Sequence, residues 1–209
     1  MITVREAKKL ILECCGAVKK ERKPLYKANG YVLAEPVYSP IDTPPFDQSA
    51  MDGYAFSFDS WDGKTDLQVS GEIQAGHFST MAVQPFQAVR IYTGAPLPPG
   101  ADTVIMQEKV IAVGQSIRLE DENLSKGSNV RLRGSQTKEG ELALETGQLL
   151  TPPGISYLAG MDIDEVKVFL NPVISIIVTG KELIKPGNAI TRGKIFESNS
   201  SGLSAALDQ

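Results

Sequence analysis

The chain has 209 residues, of which 42% are hydrophobic and 22% are charged, and its formal net charge is −4. This composition is typical of a packed globular protein and excludes a disordered chain, while the acidic balance argues against duplex nucleic acid as a partner. The sequence has no signal-peptide pattern, and no apolar run approaches the roughly 20 residues that a membrane span needs, so we expect a cytoplasmic protein.

The first predicted element is a helix. Thr3 and Glu6 form a Thr-x-x-Glu capping box, and apolar residues then recur at helical spacing as far as Cys14, so we expect this helix to end before Gly16. A short second helix is predicted over residues 24–28, because proline is favoured at a first helical position.

Cysteine and histidine chemistry is limited in this chain. Cys14 and Cys15 are adjacent, so a disulfide between them would be strained, and we interpret them as a small buried thiol beside a more exposed one. His77, the single histidine, lies between turn residues and is predicted to occupy a surface loop. A histidine-dependent triad and a multi-histidine zinc site are therefore excluded within the chain.

Residues 46–140 change to short strands separated by turn signals, which predicts a compact β domain. Asp62-Gly63 and residues 113–115 resemble hairpin connections. Trp61 is interpreted as packing beside the first of these turns, with a ligand-stacking platform as the alternative. The predicted strands cover residues 53–56, 67–69, 88–92, 103–106, 109–113, 116–119 and 129–132.

After residue 140 the pattern mixes strands and helices. A helix with Thr151 as its cap precedes a strand over residues 166–170, and a helical pattern closes the chain. The apolar run at 173–178 predicts a fully buried parallel strand. A sheet of one or two such strands cannot bury its own faces, so we expect either contact with another subunit or, preferably, the front part of a longer protein.

Two segments carry candidate binding chemistry. Residues 44–56 read PPFDQSAMDGYAF, and their Asp47, Ser49 and Asp52 put oxygen groups on backbone that can approach a ligand closely. Residues 90–100 read RIYTGAPLPPG, where a strand runs into a Gly- and Pro-rich loop and leaves Thr93 at the junction. Binding residues are common at such strand ends.

Four motifs in order resemble those of the molybdopterin molybdenumtransferase family, which comprises the MoeA proteins and the E domain of gephyrin. They are PPFDQSAMDGYAF, GEIQAG at 71–76, RIYTGAPLPPGADTVIMQE at 90–108 and NVRLRG at 129–134, followed by Thr-Gly-x-Glu-Leu. The resemblance covers essentially the whole chain. It implies insertion of molybdenum from molybdate into adenylylated molybdopterin, with magnesium present and AMP released.

The resemblance also implies an architecture. It predicts a mixed α and β, multi-domain fold in which a β-rich domain, 46–140, is inserted into a small discontinuous α/β region, 1–45 with 141–171. Residues 172–209 would be the truncated start of an α/β three-layer domain that binds molybdopterin. We expect a homodimer, other proteins of molybdenum cofactor synthesis as further partners, and no activity of this chain alone.

Carried over by motif, the resemblance implies three catalytic residues: Asp52, Thr93 and Glu182. The carboxylates of Asp52 and Glu182 would hold magnesium, and the Thr93 hydroxyl would hydrogen-bond an oxyanion or the pterin. The implied cofactor-binding residues are Ser49, Gly94 and Arg133.

Local structural roles remain open for the same residues: Asp52 as a turn residue, Thr93 as a strand-end cap and Glu182 as a solvated helix cap. Three positions depart from the family pattern, namely Lys181, Gln136 and Glu197. Two of these remove negative charge, which bears on magnesium affinity at the Lys181 site, although a lysine there could instead help hold molybdate or a phosphate.

A non-catalytic dimerisation or scaffold module of the same family is the alternative function. The sequence favours the enzyme because Asp52 and Thr93 are both retained. An unrelated carbohydrate- or nucleotide-binding β domain does not account for four motifs in order.

Overall fold

The structure is a computed structural model that describes residues 2–16 and 18–208. Within these residues it has a mixed, β-rich fold, which confirms the predicted fold class, and it divides into two compact units, Lys19–Leu170 and Met1–Val18 with Asn171–Gln209. The finer arrangement into an inserted domain and a discontinuous region stays a prediction. The helices are α1 (Val4–Cys14), α2 (Pro152–Ala159) and α3 (Asn199–Leu207).

The strands are short, and most lie in the larger unit. They are β1 (Lys20–Pro24), β2 (Val32–Leu33), β3 (Val37–Tyr38), β4 (Gln48–Ser49), β5 (Gly53–Phe56), β6 (Leu67–Ile73), β7 (Gln87–Ile91), β8 (Thr103–Met106), β9 (Val110–Val113), β10 (Ser116–Leu119), β11 (Val130–Arg131), β12 (Leu142–Leu144), β13 (Glu165–Phe169), β14 (Leu183–Ile184) and β15 (Ile195–Phe196).

A six-stranded sheet with the order β8-β5-β7-β6-β10-β9 forms the centre of the larger unit. The pairs β5–β7 and β5–β8 are antiparallel, whereas β6 and β7 are parallel. Apolar residues alternate into the core on both faces of this sheet, as period-2 side chains do. The core contains Ala55, Phe56, Ala88, Ile91, Val104 and Ile105.

A second sheet with the order β1-β13-β2 packs with α2 around the buried residues Leu33, Leu158 and Val168. The sequence did not predict β1, because Lys20–Pro24 is charged and lacks an apolar alternation. Charged residues are nevertheless tolerated at a sheet edge, and β1 lies there, paired only with β13.

Two short pairings matter for the motifs and for the smaller unit. Strand β11 pairs with β4, so that Val130 lies opposite Ser49 and joins the NVRLRG motif to the PPFDQSAMDGYAF motif. In the smaller unit β14 and β15 form a parallel pair.

Of four local predictions, two are confirmed and two are wrong. The capping box of Thr3 and Glu6 is confirmed at the start of α1, and the hairpin at 113–115 is confirmed between β9 and β10. The predicted helix at 24–28 is wrong, since only a 3₁₀ turn over Leu25–Lys27 forms. The hairpin at Asp62-Gly63 is also wrong, because β5 and β6 are separated by β7.

The loop and aromatic predictions are confirmed. His77 is exposed outside any helix or strand. Trp61 packs edge-on against Phe56 at a ring distance of 5.8 Å and donates its indole N–H to the carbonyl of Thr65. Packing therefore accounts for the tryptophan.

Two burial predictions are wrong. Residues 171–182, all within the described chain, form no helix or strand, and Val173 is 99% exposed. An apolar run forms a buried strand only when neighbouring strands pair with it and helices cover it. Cys14, the last residue of α1, and Cys15, which follows it, are both exposed. Helix α1, described in full, contains no buried residue.

In the stretches 2–16 and 18–208, none of the helices combines the length and the apolar character that a membrane span requires.

Candidate functional site

Asp52 and Thr93 lie together at one end of the central sheet. In the antiparallel pair β5–β7, Gly53 lies opposite Ile91, so the residue before β5 meets the residues after β7. Thr93 donates both its backbone N–H and its hydroxyl to Asp52 Oδ1, at 2.8 Å and 2.7 Å. The structure thus joins two motifs that are 41 residues apart in the sequence.

The Asp52 carboxylate is held ionised and remains accessible. Its pKa lies below the ordinary 3.8, first because of the Thr93 backbone N–H, then because of the Thr93 hydroxyl and the nearby positive charge of Arg90. Asp52 is half-buried and Thr93 is exposed. Among the residues that the structure describes, no donor reaches Asp52 Oδ2, so this oxygen can accept a ligand.

Ser49 and Gly94 connect the two loops through the backbone. Gly94 donates its N–H to the Ser49 carbonyl at 2.9 Å, and Ser49 donates its own N–H to Ala95 at 3.0 Å. Gly94 has φ +81°, a left-handed conformation that favours glycine. The Ser49 side chain is buried, and its hydroxyl donates to the Met51 carbonyl at 2.5 Å. In this structure both residues shape the loops that carry Asp52 and Thr93.

Arg133 is tied to two carboxylates. Its backbone N–H donates to Asp47 Oδ1 at 2.7 Å, and its Nε donates to Asp42 Oδ2 at 2.6 Å. The backbone N–H of Glu139 and then the guanidinium of Arg133 hold the pKa of Asp42 below its usual value. The NVRLRG motif is therefore fixed against the PPFDQSAMDGYAF motif, with the guanidinium largely exposed.

Arg133 also lines an open cavity of about 400 Å³. The other lining residues are Pro45, Phe46, Asp47, Phe78 and the proline-rich loop 96–101. Asp52 and Thr93 are not among the lining residues. The implied cofactor-binding residue Arg133 and the implied catalytic pair thus occupy separate places on the larger unit.

Glu182 belongs to the smaller unit, in an exposed turn that precedes β14. The helix-cap interpretation of Glu182 is wrong, because a strand follows it. Lys181 is exposed in the same turn. The Glu197 carboxylate accepts hydrogen bonds from the hydroxyl and the backbone N–H of Ser200, which lower its pKa.

Gln136, the third departure from the family pattern, lies in the larger unit. It is exposed, and its backbone N–H donates to the Thr43 carbonyl at 2.9 Å.

Metal-binding side chains are not clustered in the described residues. In the described part of the chain there is no group of three histidine, cysteine, aspartate or glutamate residues that could surround a metal ion. Any cation near Asp52 would therefore need other ligands, such as water or substrate oxygens.

The sequence did not identify Arg90 and Gln107 as part of the site. Arg90 donates to the Gly53 carbonyl at 3.2 Å, and the Gln107 backbone N–H donates to the Asp52 carbonyl at 3.0 Å. Both residues lie inside the motif at 90–108. The available signal was an arginine near two tyrosines: Tyr54 faces Arg90 across the β5–β7 pair, and Tyr92 follows Arg90 two residues later.

Known proteins similar to this chain are MoeA proteins and molybdopterin molybdenumtransferases. The family model described as the MoeA N-terminal region (domain I and II) matches residues 2–161. Molybdopterin molybdenumtransferase 2 of Mycobacterium tuberculosis is 34% identical over 212 residues, which cover 99% of this chain and 52% of that protein. Molybdopterin molybdenumtransferase of Staphylococcus aureus is 36% identical over 203 residues, covering 95% of this chain and 48% of that protein.

The fold is also similar to that of a MoeA protein whose structure has been solved. The crystal structure of the molybdopterin biosynthesis MoeA protein from Pyrococcus horikoshii OT3 aligns with a TM-score of 0.87 at 35% identity, covering 98% of this chain and 56% of that one. The chain thus spans about half the length of the relatives that it matches.

Proposed function

Because this chain belongs to the MoeA family, we propose that it is part of an enzyme of molybdenum cofactor biosynthesis. The reaction is insertion of molybdenum from molybdate into adenylylated molybdopterin, with release of AMP. Relatives that carry the name molybdopterin molybdenumtransferase support this proposal. The observation that carries it is the Asp52–Thr93 pair, in which Oδ1 is anchored at 2.7–2.8 Å and Oδ2 has no donor among the described residues.

Asp52 acts in this proposal as a fixed negative charge. Its carboxylate is already oriented before substrate arrives, so no side-chain ordering is needed when a cationic group approaches. Thr93 acts as the orienting residue, because its hydroxyl proton is directed to Asp52 Oδ1 at 2.7 Å. The hydroxyl oxygen keeps the capacity to accept a hydrogen bond from the substrate.

Magnesium fits this site through one protein carboxylate. Magnesium commonly binds one or two carboxylates together with water and substrate phosphates, and Asp52 Oδ2 offers one such oxygen. Bound magnesium would supply positive charge to the adenylyl phosphate. Glu182 as a second ligand stays a prediction, because it belongs to the other compact unit.

The three implied cofactor-binding residues take different parts in the proposal. Ser49 and Gly94 set the shape of the Asp52 and Thr93 loops, as their backbone hydrogen bonds suggest. Arg133 supplies an exposed guanidinium beside Phe46 and Phe78, a combination suited to an anionic group next to an aromatic ring.

We also propose a homodimer. Helix α1 is amphipathic, yet Leu10 is 50% exposed and Ile11 is 62% exposed, so an apolar surface is available for a second copy. The same surface would serve the alternative function, a non-catalytic dimerisation or scaffold module. The prearranged Asp52–Thr93 pair favours the enzyme, because a scaffold has no need for an oriented, accessible carboxylate.

The direct test is an assay of the natural protein with adenylylated molybdopterin, magnesium and molybdate. We expect AMP release that requires molybdate and stays proportional to the molybdenum recovered in the pterin. A dimer that releases no AMP under these conditions would support the scaffold module instead.

A further inference from the structure

The Arg90 guanidinium lies over two aromatic rings. Its Cζ is 5.1 Å from the ring centre of Tyr54 and 5.0 Å from that of Tyr92. Tyr54 lies directly opposite Arg90 in the β5–β7 pair, and Tyr92 is two residues further along the chain. Cation–π contacts with two rings restrict the orientation of the side chain.

Hydrogen bonds connect this guanidinium to the backbone around Asp52. Arg90 Nη1 donates to the Gly53 carbonyl at 3.2 Å, and Nη2 donates to Gln107 Oε1. The backbone N–H of Gln107 in turn donates to the Asp52 carbonyl at 3.0 Å. Arg90 therefore holds the Gly53 carbonyl directly, and it is linked to the Asp52 carbonyl through Gln107.

The backbone at this point has little room to move toward β8. A Cβ atom on Gly53 would lie 1.9 Å from the Ile105 carbonyl oxygen, so β5 begins in close contact with its neighbour. On the other side, the Asp52 carboxylate meets Thr93 at the end of β7. The bend that carries Asp52, residues 50–52, is thus fixed from both neighbouring strands.

We propose that Arg90 is a positioning residue, which holds the bend at residues 50–52 so that the Asp52 carboxylate stays directed at Thr93. It acts through Gly53 and Gln107. The consequence for molybdenum insertion rests on the proposed function, whereas the positioning itself does not.

Lysine cannot replace this arginine. A planar guanidinium can contact aromatic faces while it donates in fixed directions, whereas an ammonium group is a compact, strongly hydrated charge. Arg90→Lys therefore keeps the charge and loses the link between Gly53 and Gln107. Arg118→Lys is the matched control, since Arg118 in the same sheet donates two hydrogen bonds to Asp66, at 2.9 Å and 3.0 Å, away from the bend.

Amide hydrogen exchange of the full chain, followed by NMR, tests the proposal. The Thr93 and Gln107 amides report on the bend, because both donate to Asp52. The Val104 amide donates to the Ser128 carbonyl at 3.0 Å. Since Val104 is a buried core residue of β8, this amide reports on the core of the sheet. For Arg90→Lys we expect exchange at Thr93 and Gln107 to become about tenfold faster with Val104 unchanged, since local opening leaves the core protected.

For Arg118→Lys all three amides should exchange as in the wild type. Unchanged exchange at Thr93 in Arg90→Lys would overturn the proposal. Equal acceleration at Val104 would also overturn it, because Arg90 would then support the whole sheet. If Arg90→Lys does not fold, Gln107→Ala decides: it removes the acceptor of Nη2, and selective acceleration at Thr93 is again required.

The two proposals fail in different ways. A wild-type protein without molybdate-dependent AMP release would refute the proposed function and leave the exchange result intact. An active wild type whose Arg90→Lys variant keeps normal exchange at Thr93 would refute only the positioning role.

Discussion

The chain contains two aspartate–threonine pairs that use the same donors for different ends. In both, a threonine donates its backbone N–H and its hydroxyl to the carboxylate. Thr65 donates to Oδ1 and to Oδ2 of Asp62, both at 2.7 Å, so both oxygens are engaged. Thr93 donates twice to the single oxygen Oδ1 of Asp52, at 2.8 Å and 2.7 Å.

The separation in sequence explains the difference. Asp62 and Thr65 are three residues apart and close a turn of their own, as aspartate often does. Asp52 and Thr93 are 41 residues apart and meet only because β5 pairs with β7. The local pair is a completed turn, whereas the distant pair leaves one carboxylate oxygen available.

The largest expected contrast concerns the glycine that follows each aspartate. Gly53→Ala should destabilise the protein by about 3 kcal/mol or more, because the new Cβ would lie 1.9 Å from the Ile105 carbonyl oxygen. Gly63→Ala should cost about 1 kcal/mol, since Gly63 has φ +80° but open space around it. Urea unfolding of both variants measures the difference, and equal losses would contradict the tight contact at β5.

A smaller contrast concerns the threonine hydroxyls. Thr65→Val should raise the pKa of Asp62 from about 2 toward 3.8, because the Thr65 hydroxyl is the largest cause of its depression. Thr93→Val should raise the pKa of Asp52 less completely, since the Thr93 backbone N–H is the larger cause there and remains. Carboxyl ¹³C titration by NMR gives both values. A Thr93→Val variant with the wild-type Asp52 titration would show that the hydroxyl does not reach Oδ1 in solution.

The smallest effect is a dependence of stability on acid. The pKa of Asp62 is lower in the folded protein than the ordinary 3.8, so the folded state favours the ionised form. Its contribution is complete above about pH 4 and is lost as the pH falls toward 2. Asp62→Asn should therefore flatten the fall in melting temperature over this range, and an unchanged slope would refute the contribution.

The sequence predicts the strand positions better than the contacts between distant segments. Turn chemistry and period-2 alternation are local, which is why β5 and the hairpin at 113–115 were predicted correctly. Strand order is not local: nothing in the pattern indicates that β7 lies between β5 and β6, or that β6 and β7 are parallel.

The site was predictable as residue types but not as geometry. Asp52 and Thr93 were chosen because oxygen groups lie next to glycine in two loops, and only the β5–β7 register places the two side chains within hydrogen-bond distance. The role of Arg90 depends on its contacts with the rings of Tyr54 and Tyr92, which require the sheet. The apolar run at 173–178 misled the prediction because hydrophobicity signals burial without specifying a partner strand.

The central claim is that only the distant pair serves molybdenum insertion, and paired variants of the natural protein test it most directly. Asp52→Asn and Asp62→Asn each remove one charge from an aspartate held by a threonine. We expect Asp52→Asn to lower molybdate-dependent AMP release by about 100-fold, through loss of a prepositioned charge, and Asp62→Asn to keep wild-type activity, both assayed at a temperature at which the variants are folded. Wild-type activity of Asp52→Asn, or equal losses in the two variants, would contradict the account.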